Sequence, residues 1–168
     1  IKTARAAKVK AAPAEEITAA KLMIRKAVFE VTGQYVPVSY FAPTESMAAF
    51  LTHKDAKALL DAPALHPEEL VFTNGPALWV EDLDAAKIAR KLQARVDRTQ
   101  KTPYAFVVKD FGLFIAADKS LVPLAAEMAN GSVTVRMNAH RFGGVVGLSK
   151  REQEFINNWE SEAFRKKM

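Results

Sequence analysis

Cysteine is absent from the 168 residues of the chain. Disulfide bonds, thiolate nucleophiles and cysteine-ligated zinc are therefore excluded for these residues. The absence of cysteine fits a reducing compartment, so we expect a cytoplasmic protein. The sequence also lacks any apolar run close to the ~20 residues of a membrane-spanning helix and any signal-peptide pattern. We therefore expect no membrane partner.

Histidine is scarce, with only His53, His66 and His140. None lies within three to five residues of another, so the spacings that give a helix or a strand two zinc ligands are missing. The Gly-x-Ser-x-Gly and Walker-type glycine motifs are missing too. These local patterns predict no complete metal or nucleophile site within the chain, although a fold can still bring distant histidines together.

The formal net charge is +5. Basic residues are concentrated in an arm at residues 2–10 and at Lys166 and Lys167, and elsewhere they alternate with Asp and Glu. No nucleic-acid recognition motif accompanies this charge, so we expect no nucleic-acid partner. A small anion such as a sugar phosphate is the ligand class that the charge favours.

The order of the predicted elements indicates an α/β fold. Residues 1–14 are predicted to form a basic flexible tether, and residues 15–168 a single domain. The predicted elements are a helix from Glu15 to Gly33, a strand at 36–41 that Pro37 makes an edge strand, a helix at 54–62, a turn or short helix opened by His66 and Pro67, short strands at 70–72 and 77–80, a helix capped by Asp84, a hairpin at 104–116, a helix from about Ser120 to Phe142, and a helix opened by the capping box Ser149–Glu152. Short strands and a hairpin favour a mixed, largely antiparallel sheet covered by helices.

Helical periodicity predicts which side chains are buried in two of these helices. After Asp84 the apolar stripe holds Ala85, Ile88, Ala89, Leu92 and Val96, and the side chains expected to face water are Lys87, Arg90, Lys91 and Arg95. After Ser120 the predicted buried seam consists of Leu121, Ala125, Met128, Ser132, Val135 and Ala139.

One glycine-rich turn is a candidate anion site. Gly143 and Gly144 precede the last helix, and backbone N–H groups at such a turn can hold an anion. Arg141 lies beside them and would add a positive charge. The alternative is that these glycines only reverse the chain between two helices, and the residues leave both interpretations open.

Four blocks in the last hundred residues carry a family resemblance. They are HPEELVFTNGPALWV (66–80), YAFVVKDFGLFIAADKSL (104–121), FGGVVGLSKREQEFI (142–156) and WESEAFRKK (159–167). In this order they resemble the C-terminal part of class II aldolase/adducin-type proteins, and the aldolase portion of bifunctional rhamnulose-1-phosphate aldolase/dehydrogenase proteins. The resemblance implies a class II aldolase-like fold and a lyase of carbohydrate metabolism that cleaves ketose 1-phosphates with zinc bound by three histidines.

The zinc ligands of that family do not carry over. Its early histidine pair is missing, and the position of its hairpin histidine is occupied by Phe111, which cannot bind zinc. We therefore expect no metal or other cofactor in this chain. The resemblance leaves catalytic candidates and ligand-binding candidates. The catalytic candidates are Glu69, Asp110, Glu160 and Glu162, and the ligand-binding candidates are Asn74, Gly112, Arg141, Gly143, Gly144 and Arg165.

Two functional hypotheses follow, with a third behind them. In the first, the chain, which begins at Ile1 and not at Met, is a non-catalytic portion of a longer class II aldolase. It would complete the site or the oligomer by packing on an N-terminal catalytic half or on another subunit. In the second, it is a stand-alone binding module for a sugar phosphate or another anion. The third is an active aldolase with a differently built site.

Overall fold

The structure is a computed structural model that describes residues 12–159. Its elements are α1 (Ala14–Thr32), β1 (Val38–Phe41), α2 (Glu45–Leu51), α3 (Ala56–Asp61), α4 (Pro67–Thr73), β2 (Leu78–Val80), α5 (Ala85–Thr99), β3 (Ala105–Val108), β4 (Gly112–Ala116), α6 (Val122–Arg141) and α7 (Lys150–Asn158). The predicted α/β fold is confirmed. The candidates Glu160, Glu162 and Arg165, and most of the predicted tether, lie outside the described residues.

The four strands form one mixed sheet in the order β1-β4-β3-β2. Strand β4 pairs antiparallel with both β1 and β3, and β2 pairs parallel with β3 through the crossover helix α5. As predicted from Pro37, β1 is an edge strand. Strand β2 is the other edge, so α5 and α3 flank an open side of the sheet there.

Successive side chains of each strand point to opposite faces of the sheet, and they contribute to two separate apolar layers. On one face, Leu78, Phe106 and Phe114 pack with α1 and α5. On the other face, Trp79, Val107 and Ile115 pack with α2, α3 and α6. A smaller cluster joins α4 to α7. Among the helices of residues 12–159, none combines the length and apolarity that crossing a lipid bilayer requires.

Most predicted helix ends and the hairpin are confirmed. Gly33 adopts the left-handed conformation that ends α1, the Asp84 side chain accepts from Lys87 N–H, and the capping box of Ser149 and Glu152 is present. Helix α2 was not predicted, although the side chain of Thr44 caps it by accepting a bond from Met47 N–H.

The predicted strand at 70–72 is wrong, because these residues belong to α4. His66 caps that helix by accepting from Glu69 N–H, Pro67 occupies its first turn, and Glu68 and Glu69 add favourable charge there. These local signals outweigh a three-residue apolar run, which periodicity cannot assign by itself.

The predicted seam of α6 is wrong in part. Ala125 and Ser132 are buried as expected, but Val135 is 50% exposed. The buried residues of this helix are Val122, Ala125, Ala126, Ala129, Ser132, Val133 and Arg136. The core stripe therefore ends on a fully buried arginine, which a purely apolar pattern leaves out.

Candidate anion-binding site

Arg95 is buried, although the sequence predicted that it faces water. Only 6% of the residue is exposed, because it continues the stripe of α5 that begins with Ile88 and Leu92. Its Nη1 donates to the Pro76 carbonyl oxygen at 2.8 Å. Among residues 12–159, no carboxylate oxygen lies within 4.0 Å of its guanidinium group. Arg95 is thus a buried cation without an ion-pair partner in the part of the chain that the structure describes.

Electrostatics around Arg95 are unfavourable for its charge. Burial is the largest influence and lowers the pKa of Arg95 from its usual value. The positive charge of Arg98 lowers this pKa further, and Asp61 acts in the opposite direction. Burying a charge without a partner is costly, so a bound anion would relieve a cost that the free protein bears.

Two cavities open beside Arg95 and share Asp61, Arg95 and Arg98 in their walls. The first, of about 340 Å³, lies between α3 and α5 beside strand β2. The second, of about 410 Å³, lies between α5 and the start of α7. We call the two together the Arg95 groove. Their sizes fall in the range of small-molecule sites, about 300–1,000 Å³.

The groove carries an excess of positive charge. Its cationic side chains are Lys57, Lys91, Arg95, Arg98 and Lys150, and the only carboxylate among its lining residues is Asp61. Lys91 is partly engaged, since its Nζ lies 3.4 Å from the Trp79 carbonyl oxygen and 3.9 Å from a carboxylate oxygen of Glu81. The remaining imbalance favours an anionic ligand.

Trp79 lines the first cavity and carries a buried donor without a partner in the described residues. The residue is 7% exposed, and its indole N–H is the only buried side-chain polar atom without a hydrogen-bond partner in residues 12–159. Buried donors are normally satisfied. Its ring packs edge-on against Phe50, with ring centroids 6.2 Å apart.

Glu69, the first catalytic candidate, is held inside the fold. It is 1% exposed and forms an ion pair of 3.1 Å with Arg136, which is 0% exposed. The Ser132 hydroxyl and Leu65 N–H also donate to its carboxylate, at 2.5 and 2.7 Å. A carboxylate enclosed and bonded in this way connects α4 to α6, and it does not face a cavity described above.

Asn74 and Gly112, which are predicted to bind a ligand, both have structural contacts. Asn74 ends α4 in the left-handed conformation, and its amide donates to the Thr102 carbonyl oxygen at 2.9 Å. Gly112 has a φ of 125°, and a Cβ there would lie 3.0 Å from the Phe41 carbonyl oxygen. Asp110, the second catalytic candidate, lies exposed in the hairpin turn with a φ of 67°.

The glycine turn after α6 does not present free N–H groups. Gly143 N–H and Gly144 N–H donate to the carbonyl oxygens of His140 and Ala139, at 3.4 and 3.0 Å. They thereby cap the C-terminal end of α6, which carries negative partial charge. Arg141 beside them is exposed. The chain-reversal interpretation accounts for these contacts, and none of the three residues lines the Arg95 groove.

The fold brings two of the three histidines together, although they are far apart in the sequence. His66 caps α4 and lies 3.2 Å from a carboxylate oxygen of Glu68. His53 and His140, distant in sequence, lie together with Asp55, and one potential ligand atom from each falls within 4.8 Å of the others.

Sequence reasoning missed Arg95 and Arg136 as buried residues. The signal was present in both cases, because each arginine falls three or four residues after a buried position of its own helix, Leu92 and Ser132. The partners, Pro76 and Glu69, lie on other elements and could not be identified without the fold.

Comparisons of the chain with protein-family models, curated proteins and solved structures find no significant match.

Proposed function

We propose that this chain is a binding domain for a small phosphorylated ligand, most simply a sugar phosphate, which it holds in the Arg95 groove. The proposal rests on Arg95, a residue only 6% exposed, whose guanidinium has no carboxylate partner in residues 12–159 and which lines both cavities. A phosphate would supply the missing negative charge.

The donor set suits an oxyanion such as phosphate. Arginine presents a planar fork of donors that matches phosphate or carboxylate oxygens in a bidentate manner. Arg98, one turn further along α5, lines both cavities with Arg95. The two guanidiniums can therefore contact one anion from the same helix face.

Two features favour a sugar group on the phosphate. Asp61 lies in both cavity walls, and its carboxylate can accept hydrogen bonds from sugar hydroxyls. The resemblance of residues 66–167 to class II aldolase-type proteins also indicates ketose 1-phosphates as a ligand class. No catalytic step is part of this proposal.

Isothermal titration calorimetry tests it with three probes: inorganic phosphate, fructose 1-phosphate and fructose. We expect heat from the two phosphates and none from fructose. Arg95→Met should weaken binding about 10- to 150-fold, since a hydrogen-bonded charge contributes about 1.5–3 kcal/mol.

Arg141→Met is the matched control, because it removes an exposed arginine at the glycine turn. We expect it to leave the affinity within about twofold of the unmodified protein, as surface charges contribute little. Unchanged binding by Arg95→Met, or loss of binding in Arg141→Met alone, would refute the assignment to the groove.

In a second candidate function, the chain is an aldolase-like portion that completes an oligomer or the site of a longer protein. This function is supported by a set of exposed apolar side chains near the C-terminal end of the described residues. Monomeric proteins rarely expose large apolar patches, so such side chains favour a contact with another chain. These are Phe142, Val146, Phe155 and Trp159, with exposures of 91%, 91%, 67% and 53%.

Light scattering coupled to gel filtration tests this second function. A molar mass above that of the 18.5 kDa chain, lowered by Val146→Ser, would support it. A monomer at every concentration, with no effect of added partner subunit on ketose 1-phosphate cleavage, would count against it.

A further inference from the structure

Three potential metal ligands converge where the linker between α2 and α3 meets the end of α6. His53 and Asp55 lie in that linker, and His140 lies in the last turn of α6. His140 Nε2 is 3.3 Å from a carboxylate oxygen of Asp55. The rings of His53 and His140 meet edge to face, with centroids 5.4 Å apart. This cluster is separate from the Arg95 groove and contains none of its lining residues.

The Asp55 carboxylate faces the cluster and does not cap its own helix. Asp55 occupies the N-cap position of α3, yet its side chain makes no capping hydrogen bond. Aspartate at this position usually accepts from a backbone N–H of the first turn. Here the carboxylate faces His140 instead. The C-terminal end of α6, which carries negative partial charge, also favours a positive charge at this location.

The spacing of the ligand atoms suits a tetrahedral metal. Zinc bound to imidazole nitrogen and carboxylate oxygen at about 2.0–2.2 Å holds neighbouring ligand atoms about 3.3–3.5 Å apart. The His140–Asp55 separation of 3.3 Å already meets this value. The ligand atoms lie within 4.8 Å of one another, so metal binding would require one partly exposed side chain to rotate towards the others. His140 and Asp55 side chains remain 40% and 37% exposed, which leaves solvent access for a fourth ligand.

His53 must give up one hydrogen bond in order to bind a metal ion. Its Nδ1 accepts from Asp55 N–H at 3.1 Å. A metal would bind His53 either through Nδ1 in place of this N–H, or through Nε2 after the ring proton moves to Nδ1. Both routes give up a single hydrogen bond in a partly exposed linker.

We propose that His53, Asp55 and His140 form a binding site for a first-row divalent cation of the zinc class. Two imidazoles and one carboxylate favour such an ion over magnesium or calcium, which prefer oxygen ligands. The bound ion would join the linker before α3 to the C-terminal turn of α6. The site is unrelated to the zinc positions of the aldolase-type proteins, since it uses neither an HxH pair nor the hairpin.

Calorimetry with zinc sulfate tests the site on tag-free protein stripped with EDTA. We expect one zinc per chain, and at least tenfold weaker binding for His140→Ala and for Asp55→Asn. Magnesium chloride should give no comparable heat. His66→Asn is the matched control, because it removes the third histidine while keeping an oxygen that can cap α4, and its zinc affinity should stay within about twofold.

Two further readouts separate loss of the site from loss of the fold. Circular dichroism should show equal helix content in all variants, because the altered side chains are partly exposed. Cobalt should give the intense visible absorption of a tetrahedral site in the unmodified protein and in His66→Asn, but not in His140→Ala. Stoichiometric zinc binding by the triple variant His53→Ala, Asp55→Asn, His140→Ala, or no binding at millimolar zinc by the unmodified chain, would overturn the proposal.

Discussion

Replacing Arg136 by methionine should destabilise the protein severely. The side chain is 0% exposed and lies between α6, α4 and the end of α3. Its Nη1 and Nη2 donate to the carbonyl oxygens of Leu59 and Pro63 at 2.8 and 2.9 Å, and Nη2 also donates to Glu69. Its Nε donates to the Ser132 hydroxyl oxygen at 3.0 Å, so each nitrogen of the guanidinium has an acceptor.

The magnitude follows from what the substitution leaves behind. Methionine fills much of the volume, so the main cost is the Glu69 carboxylate, which becomes a buried charge without its partner. Breaking a buried ion pair in this way costs about 3–5 kcal/mol. Each carbonyl that loses its donor adds a further cost of about 1 kcal/mol or more. The free energy of unfolding of a typical domain is only about 5–15 kcal/mol. We therefore expect Arg136→Met to remove a third or more of it.

Urea denaturation followed by tryptophan fluorescence measures this cost in a double-mutant cycle. Arg136→Met and Glu69→Gln should each lower the free energy of unfolding, and the double variant should lose less than the sum of the two. Coupled residues typically show an interaction of about 0.5–3 kcal/mol. A cost below about 1 kcal/mol for Arg136→Met, or strict additivity, would refute a structural role for the pair.

Substitutions of Arg95, two glycines and Glu152 test separate features of the structure. Arg95→Met should cost less than about 1 kcal/mol of stability, because removing a desolvated charge offsets the lost bond to the Pro76 carbonyl; a loss as large as that of Arg136→Met would contradict this. Gly112→Ala should cost about 1–3 kcal/mol through its positive φ and more than Gly144→Ala, which shares a positive φ but meets no atom within 4 Å; equal losses would remove the predicted clash with the Phe41 carbonyl. The hydrogen bonds of the capping box lower the pKa of Glu152. Its contribution to stability is therefore present above the ordinary pKa of an unfolded glutamate, and is lost as the pH falls through the lower folded value. Urea midpoints of the unmodified protein should therefore fall in acid relative to Glu152→Gln, whose amide can still cap, and parallel pH curves would contradict this.

Local chemistry predicted much of the fold because the signals lie within a few residues of one another. Gly33, Asp84 and the Ser149–Glu152 box identified helix ends through backbone conformation and capping. The β-branched and aromatic run at 104–116 identified the hairpin. The failure at 70–72 shows the limit of this approach, since a short apolar run fits a strand or a buried helix equally well.

The site depended on contacts that no local pattern encodes. Arg136 and Glu69 are 67 residues apart in sequence and meet only when α6 packs on α4. Arg95 follows the buried stripe of α5, but helical periodicity assigns charged residues to solvent by default. His53 and His140 likewise approach through packing of α6 against the start of α3. Charged residues at core positions therefore mark both the structural pair and the candidate site.

We claim that an anion binds in the Arg95 groove, and the fluorescence of Trp79 can report this binding directly. The chain has two tryptophans, so Trp159→Phe leaves Trp79, in the wall of the first cavity, as the single emitter. Titration of this variant with fructose 1-phosphate should change the Trp79 fluorescence in a saturable manner, and the added substitution Arg95→Met should weaken the response at least tenfold. An unchanged emission at millimolar ligand, or a response that Arg95→Met leaves intact, would contradict the claim.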